Sequence, residues 1–248
     1  MMGQRVVSWF SCGAASAVAA RLAITQYGRD AVDVVYCNTM VNEHPDNSRF
    51  FSDIEKWIGK SVTVIESSLG SSVETIFDNR KYMSGPLGAP CTVELKKVPR
   101  FNYQKPDDIH IFGYTADEGK RIERFVANNP ELNLDWILHR NGFTKDQCFG
   151  VLKYAGIELP AMYGLGYKNN NCIGCVKASA PKYWNKIRSD FPDVFARRAE
   201  QSRKIGCRLT RAKQSNGRWE HIFLDELQSD NVDDFREDLS CGPECRGK

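Results

Sequence analysis

Short apolar runs alternate with longer amphipathic segments over most of the first 143 residues. The runs cover residues 5–10, 32–36, 61–65 and 108–112, and polar or small residues bound each one, which is typical of buried strands. Strands that alternate with helices predict a doubly wound, mostly parallel sheet whose ligands bind beyond the carboxyl ends of the strands. The predicted fold class is therefore α/β and Rossmann-like.

Helical patterns follow these strands. Residues 14–27 are rich in alanine and end before Gly28, and residues 48–58 place their apolar side chains on one face. Farther along, Thr144 is a suitable N-cap for a helix that runs to about Tyr154. These segments supply the helices that a parallel sheet needs on its faces.

The chain changes character after residue 143. Residues 161–171 are rich in Gly, Tyr and Asn, residues 193–204 predict a basic helix, and residues 215–217 predict the turn of a hairpin. We expect a nucleotide-binding core over 1–143. A helical and hairpin extension with a cysteine-containing tail, over 144–248, is expected to pack on it as one domain.

Composition limits the class of protein without naming a function. The 248 residues carry a net charge of +3 with 26% charged residues, so no tail is expected to coat nucleic acid, although a local basic face leaves nucleic acid open as a partner. The first residues show no apolar signal segment, and no apolar run approaches the length of a membrane span. We expect a cytoplasmic protein with no membrane partner and make no prediction of its oligomeric state.

The chain contains nine cysteines, which are the first candidates for functional residues. In a reducing compartment they favour metal ligation or redox chemistry over a disulfide framework. The pair Cys172 and Cys175 forms a CxxC motif, which suits zinc, an iron–sulfur cluster or a redox dithiol equally well.

The loop between the first predicted strand and the first predicted helix is a second candidate for a functional site. Residues 11–16 are small, so their backbone N–H groups are uncrowded at the positive end of a helix and suit a phosphate or sulfate. A tight turn that needs small residues only for packing explains the same pattern. The loop is neither a Walker A loop nor a GxGxxG fingerprint.

This loop, Ser-Cys-Gly-Ala-Ala-Ser, resembles the SGGxDS pyrophosphate loop of the adenine nucleotide α-hydrolase (PP-loop) superfamily, which includes the PAPS reductases. Cys12 stands for a glycine, Ala14 for a frequent lysine and Ala15 for the aspartate. The two lost side chains bear on ATP hydrolysis more than on nucleotide binding. The resemblance implies that five loop residues bind nucleotide: Ser11, Gly13, Ala14, Ala15 and Ser16.

Other segments are similar to PAPS-reductase motifs at the corresponding strand ends. Thr39 follows the second strand, as in the family's DTGxxxPE segment, although a threonine there is often only a cap. Gly113 and Arg121 follow the strand at 108–112, where the family has a glycine, a glutamate and an arginine, although Arg121 also suits a surface ion pair. The resemblance implies that Thr39, Gly113 and Arg121 bind the nucleotide.

Residues 90–100 place one thiol and three cations close together, a pattern that also suits a solvated basic helix start. The segment resembles the CTxxLKxxP block of PAPS-reductase-like proteins. Cys91 and Lys96 match it, and Lys96 is expected to complement the charge of an anionic substrate.

The cysteines resemble those of sulfonucleotide reductases that carry a four-iron cluster, in which two adjacent cysteines precede a CxxC. Thr92 stands where the second of the adjacent cysteines is found. A [4Fe-4S] cluster is expected, with zinc as the alternative, and a three-cysteine cluster with an open iron site also remains open. The expected ligands are Cys91, Cys148, Cys172 and Cys175.

The tail carries a Ser-Cys-Gly segment around Cys241 that is similar to the Glu-Cys-Gly in the mobile tail of PAPS reductases. The resemblance implies that Cys241 or Cys245 attacks the sulfur of the sulfonucleotide. A four-thiolate zinc site, made by these two cysteines and the CxxC motif, is the competing hypothesis.

Three hypotheses for function follow from the resemblance. The first is a PAPS/APS-reductase-like enzyme, with a thiol carrier such as thioredoxin. The second is an ATP pyrophosphatase that adenylates its substrate in DNA or tRNA sulfur modification, with a cysteine desulfurase as a partner. The third is a nucleotide-binding sensor without catalysis.

Overall fold

The computed structural model describes residues 4–86, 88–213 and 217–231. Its centre is a five-stranded parallel sheet in the order β3-β2-β1-β4-β5. The α/β prediction with a parallel sheet is thereby confirmed, although β5 was not predicted from the sequence. The strands are β1 Val6–Phe10, β2 Val32–Cys37, β3 Thr63–Ile65, β4 Ile109–Phe112 and β5 Asn133–Asp135.

Helices connect the strands and form most of the extension. Within the described ranges, none of them has both the length and the apolar character that a bilayer span requires. A π-helical turn, Val93–Lys97, joins α4 to α5 in one helical stretch. The α-helices are α1 Ala14–Tyr27, α2 Asn47–Ile58, α3 Val73–Arg80, α4 Pro90–Thr92, α5 Val98–Tyr103, α6 Gly119–Asn128, α7 Ile137–Arg140, α8 Lys145–Tyr154, α9 Ala161–Gly164, α10 Pro181–Asp190 and α11 Pro192–Ile205.

The strand order reverses at β1. The chain builds β2 and β3 on one side of β1 and then crosses over to place β4 and β5 on the other side. In register, Val6 of β1 lies opposite Val32 of β2 and Ile109 of β4. The loops that leave β1 and β4 consequently diverge at a switch point, where α/β sheets have their ligand crevice.

Apolar packing holds both faces of the sheet. On one face, α1 and α8 pack against strand residues such as Phe10 and Ile111. On the other face, Trp9 stacks on His110 and Phe112 with nearly parallel rings. All five residues of β1 are buried, as expected of a central strand with helices on both sides.

A second apolar cluster, which we call the extension cluster, combines residues between 73 and 95 with residues between 162 and 227. Trp184 lies fully buried within it. The predicted hairpin is present as two antiparallel strands, β6 Thr210–Lys213 and β7 Trp219–Ile222. The part after residue 143 therefore packs partly on α1, through α8, and partly on the segment that follows β3.

Candidate active site

A cleft with a volume of about 230 Å³ opens at the carboxyl ends of β1 and β4. The β1–α1 loop forms one wall, and the β4–α6 loop forms a second. The start of α8 and residues between 163 and 171 close the remaining side. The lining residues are Trp9, Ser11, Gly13, Ala15, Ser16, Phe112, Gly113, Tyr114, Thr115, Asp117, Glu118, Arg121, Lys145, Tyr163, Asn169, Asn170 and Asn171.

Hydrogen bonds of the Ser16 hydroxyl stabilise the loop that carries the predicted phosphate site. Its hydroxyl oxygen accepts a hydrogen bond from the Ser11 backbone N–H at 3.1 Å, and the hydroxyl donates to the Gly13 carbonyl at 2.9 Å. Gly13 is the N-cap of α1 and has extended backbone angles. The first turn of α1 therefore faces the cleft with its positive end, which favours an anionic ligand.

Cys12 adopts a positive φ of 56° in this loop, a conformation that glycine tolerates best. Cys12 is also fully buried, and burial raises the pKa of its thiol well above the usual range. The backbone thus keeps a glycine-like shape at the position where the resembled motif has glycine.

Gly113, at the end of β4, lies directly against the start of α1. A Cβ atom at this position would lie 2.7 Å from the Ser16 backbone nitrogen and 3.1 Å from the Ala15 carbonyl carbon. Only glycine allows the two chain segments to approach this closely. Gly113 therefore sets the width of the cleft between the two loops.

Arg121 projects from the first turns of α6 into the cleft. It forms an ion pair with Glu118, and its guanidinium lies 4.2 Å from the centre of the Tyr114 ring. The Thr115 N–H donates to the other carboxylate oxygen of Glu118 at 2.9 Å, and the Thr115 hydroxyl donates to Asp117 at 2.7 Å. These contacts hold a guanidinium and two carboxylates in fixed positions on one wall.

The side of the cleft formed by the start of α8 carries a second cation, Lys145. Its ammonium donates to the Lys168 carbonyl and to the Asn169 side-chain oxygen, the latter at 3.0 Å. It also lies 5.3 Å from the centre of the Tyr163 ring. Burial lowers the pKa of Lys145, and the nearby carboxylate of Glu118 opposes that shift.

Tyr163 places its hydroxyl over the loop, where a Cβ at Gly13 would lie 3.4 Å from the phenolic oxygen. Burial raises the pKa of Tyr163 to about 12, while the backbone N–H groups of Ala14 and Asn170 act in the opposite direction. The phenol therefore lies at the N-terminus of α1, where an anion is favoured.

A buried polar network lies beneath the loop. The Asn170 amide donates to the Cys12 carbonyl at 2.6 Å and to the Asn47 side-chain oxygen at 2.9 Å. Asn47 in turn donates to Glu43 at 2.7 Å, and the Thr39 hydroxyl donates to the same carboxylate at 2.6 Å. This network ties the end of β2 and the segment before the CxxC motif to the loop.

The structure brings six of the eight predicted nucleotide-binding residues into one cleft. The two others lie elsewhere: the Ala14 side chain is buried in the core around α1, and the Thr39 hydroxyl is buried against Glu43. The six residues that line the cleft are Ser11, Gly13, Ala15, Ser16, Gly113 and Arg121.

The four predicted cysteine ligands are not gathered into one group. Cys148 is fully buried in the apolar cluster around α1, whereas Cys91 packs at the edge of the extension cluster. Among residues 4–86, 88–213 and 217–231, no group of three or more His, Cys, Asp or Glu side chains is placed to hold a metal ion. Both the iron–sulfur and the zinc hypotheses stay predictions.

The CxxC turn is packed tightly between neighbouring elements. The Ile173 N–H donates to the Asn42 carbonyl at 2.8 Å, and the Cys175 N–H donates to the Tyr183 hydroxyl at 2.8 Å. Gly174 has a φ of 65°, and a Cβ there would lie 3.0 Å from the Val194 side chain. The backbone therefore requires glycine between the two cysteines.

The predicted catalytic residues are not part of the described cleft. Lys96 lies in the π-helical turn, is buried, and does not line the cleft. Cys241 and Cys245 fall outside the described residues. Their proposed roles consequently stay predictions.

Sequence reasoning missed several residues of the cleft, chiefly Trp9, Lys145, Tyr163 and Asn169. Lys145 had no distinguishing signal, because a lysine after a helix cap is ordinary. Residues 161–171 are rich in Gly, Tyr and Asn, but their position over the loop depends on tertiary packing. A scan against protein-family models finds no match to the chain, and a search of the curated proteins finds none either.

Proposed function

We propose that the cleft between the β1 and β4 loops binds an adenine nucleotide, and that the protein is an enzyme of sulfur chemistry similar to the PAPS/APS reductases. The observation that carries the proposal is the convergence of six motif residues on one cleft at the switch point of the sheet. Those residues come from two segments about a hundred positions apart, and the motifs had assigned them all to the same ligand.

The physical case for an anionic ligand rests on the N-terminus of α1, on the close approach of Gly113 to it, and on Arg121. The loop residues at the N-terminus of α1 carry no bulky side chain, although the Tyr163 hydroxyl lies over this helix end, and Gly113 keeps the β4–α6 loop close to it. Arg121 adds a guanidinium, whose planar donors match phosphate or sulfate oxygens. A nucleotide with its phosphates at the loop is the ligand that these features favour.

In the reductase form of the proposal, a tail thiolate, Cys241 or Cys245, attacks the sulfur of the bound sulfonucleotide. A bond forms between the cysteine sulfur and the sulfonate sulfur, the bond from sulfur to the bridging oxygen breaks, and the nucleotide phosphate leaves. A dithiol carrier then releases sulfite and becomes a disulfide.

Product analysis tests this function. We expect incubation with PAPS or APS and a reduced dithiol carrier to release sulfite together with the nucleotide. Arg121→Met is expected to lower turnover at least tenfold, because it removes a cation from the cleft. Arg124→Met, which changes an exposed arginine of the same helix, is the matched control. An absence of sulfite from both substrates would rule out the reductase form.

The second candidate is an ATP pyrophosphatase that activates a nucleic acid substrate by adenylation. It is favoured by Thr92, a buried side chain at the position where the reductases have their second adjacent cysteine. Pyrophosphate and AMP formation from ATP, without sulfite from PAPS or APS, would select this candidate.

A sensor without catalysis is the third candidate. Ala15 favours it, since a methyl group lines the cleft where the resembled loop has a carboxylate. Binding of ATP or PAPS without turnover would select it.

A further inference from the structure

The loop at residues 11–16 contains no charged side chain, although it faces the expected position of the phosphates. Arg121 lines the same cleft but is engaged in an ion pair with Glu118. The cleft therefore needs a further source of positive charge if it is to hold a polyanion. Lys145, at the start of α8, lines the remaining side of the cleft.

The surroundings of Lys145 leave its charge available to a ligand. The acceptors that its ammonium contacts are neutral: the Lys168 carbonyl and the Asn169 side-chain oxygen. The aromatic rings of Phe149 and Tyr163 lie 5.9 and 5.3 Å from the ammonium, so the side chain is held against the wall of the cleft. Because these hydrogen-bond acceptors are neutral, an incoming anion does not have to displace a carboxylate that is hydrogen-bonded to the ammonium, although the carboxylates of Asp117, Glu118 and Asp146 also act on it through space.

We propose that Lys145 is the cation that contacts the phosphate chain of the nucleotide, and that it supplies from α8 the charge that the loop itself lacks. This inference rests on the proposed function, because it assigns a residue to the same cleft. Lys145 acts as a binding residue, and the Tyr163 ring positions it beside the N-terminus of α1.

A buried acceptor in the same cleft also points to a ligand. Asn170 is 6% exposed and lines the cleft. Its amide nitrogen donates two hydrogen bonds, whereas its Oδ1 has no hydrogen-bond partner within the described ranges. A buried acceptor of this kind is costly unless a donor reaches it. A hydroxyl group of a bound nucleotide, or a water held by it, is the kind of donor that would satisfy Asn170.

The experiment measures the affinities of ATP, inorganic pyrophosphate and adenosine for the full chain by isothermal titration. Three variants separate charge from structure: Lys145→Met removes charge and donors, Lys145→Gln keeps a donor without charge, and Lys145→Arg keeps both. Lys153→Met changes an exposed lysine on the same helix and is the matched control. Circular dichroism and thermal unfolding establish that each variant is folded.

We expect Lys145→Met and Lys145→Gln to weaken ATP and pyrophosphate at least tenfold, with adenosine changed by less than twofold. Lys145→Arg is expected to restore most of the affinity, and Lys153→Met to behave as the wild type. Full rescue by Lys145→Gln would overturn the proposal, because it would show that the hydrogen bonds to residues 168–169, rather than the charge, are what matter.

Wild-type affinity for ATP and pyrophosphate in Lys145→Met would overturn the proposal for Lys145 and leave nucleotide binding standing. Failure of the wild type to bind either compound would overturn the proposed function and the role of Lys145 together. The two failures are therefore distinguishable in one set of titrations.

Discussion

Gly113 lies against the backbone of Ser16 so closely that a Cβ on Gly113 would come within 2.7 Å of the Ser16 nitrogen and 2.8 Å of its Cα. This contact joins the end of β4 to the first turn of α1 and fixes the separation of the two loops that form the cleft. Both neighbouring atoms are backbone, so the contact cannot be relieved by a change of rotamer.

Gly113→Ala is expected to lower the free energy of unfolding by about 1–3 kcal/mol, because the added methyl group overpacks a backbone contact. The loops must separate, so nucleotide affinity is expected to fall as well. Urea unfolding and titration with ATP measure the two effects.

Gly150→Ala is the matched control. Gly150 lies inside α8, and a Cβ there would meet no atom within 4 Å. We expect this substitution to raise the free energy of unfolding by about 0.5–1 kcal/mol, since alanine is the better helix former. Equal effects at positions 113 and 150 would show that the close contact has no energetic consequence.

Substitutions at Cys12 test whether the loop backbone adopts a left-handed conformation at this position. Because its φ is 56°, Cys12→Gly is expected to be more stable than Cys12→Ala by about 1 kcal/mol. Ala17→Gly, in the interior of α1, is expected to show the opposite preference and lose about 1 kcal/mol. A Cys12→Ala variant as stable as Cys12→Gly would contradict the left-handed conformation.

Because of the buried His110 side chain, we expect the free energy of unfolding to fall at acidic pH. Burial lowers its pKa to about 4, and the Trp9 indole N–H donates to its Nδ1 at 3.0 Å, which requires a neutral ring nitrogen. In the unfolded state histidine has a pKa of about 6.5 and binds the proton more readily, so stability is lost as the pH falls below that value. Between pH 7 and pH 5 the loss is expected to be about 2 kcal/mol.

His110→Phe removes the titrating group and is expected to flatten the pH dependence over this window. The measurement is the urea midpoint at pH 7 and at pH 5. An unchanged slope in His110→Phe would assign the acid sensitivity to other groups.

Cys148 was expected to be the fourth cluster ligand, and its burial in the apolar cluster around α1 favours a packing role. Cys148→Ala is expected to lower the free energy of unfolding by about 1 kcal/mol through a small cavity. Iron, sulfide and zinc per chain, measured after anaerobic purification, are expected to match the wild type. Cys172→Ala is the comparison and is expected to lower any metal content. Loss of metal in Cys148→Ala would restore its assignment as a ligand.

Local sequence patterns were enough to predict much of the central sheet. β1 and β2 are rich in β-branched and aromatic residues, and α1 is an alanine-rich segment that ends at a glycine, so each element agrees with its own propensities. β5 was missed because Asn133–Asp135 is short and mostly polar. Its strand conformation depends on pairing with β4.

The candidate site was predictable only in part. Gly113 and Arg121 were found through a motif, whereas Lys145 and Tyr163 reach the cleft from a segment whose position is set by packing on α1 and on residues 73–95. Thr39 is the reverse case, because a motif assigned it to the nucleotide and it does not line the cleft. It follows a strand as predicted, yet its hydroxyl turns to the buried Glu43 carboxylate, a contact that no local pattern encodes.

Binding of ATP to the wild type, Arg121→Met and Gly113→Ala, measured side by side by isothermal titration, tests the central claim most directly. We predict one saturable site per chain in the wild type and at least tenfold weaker affinity in both variants, because one substitution removes a cation from the cleft and the other separates its walls. No binding by the wild type, or wild-type affinity in both variants, would contradict nucleotide binding in this cleft.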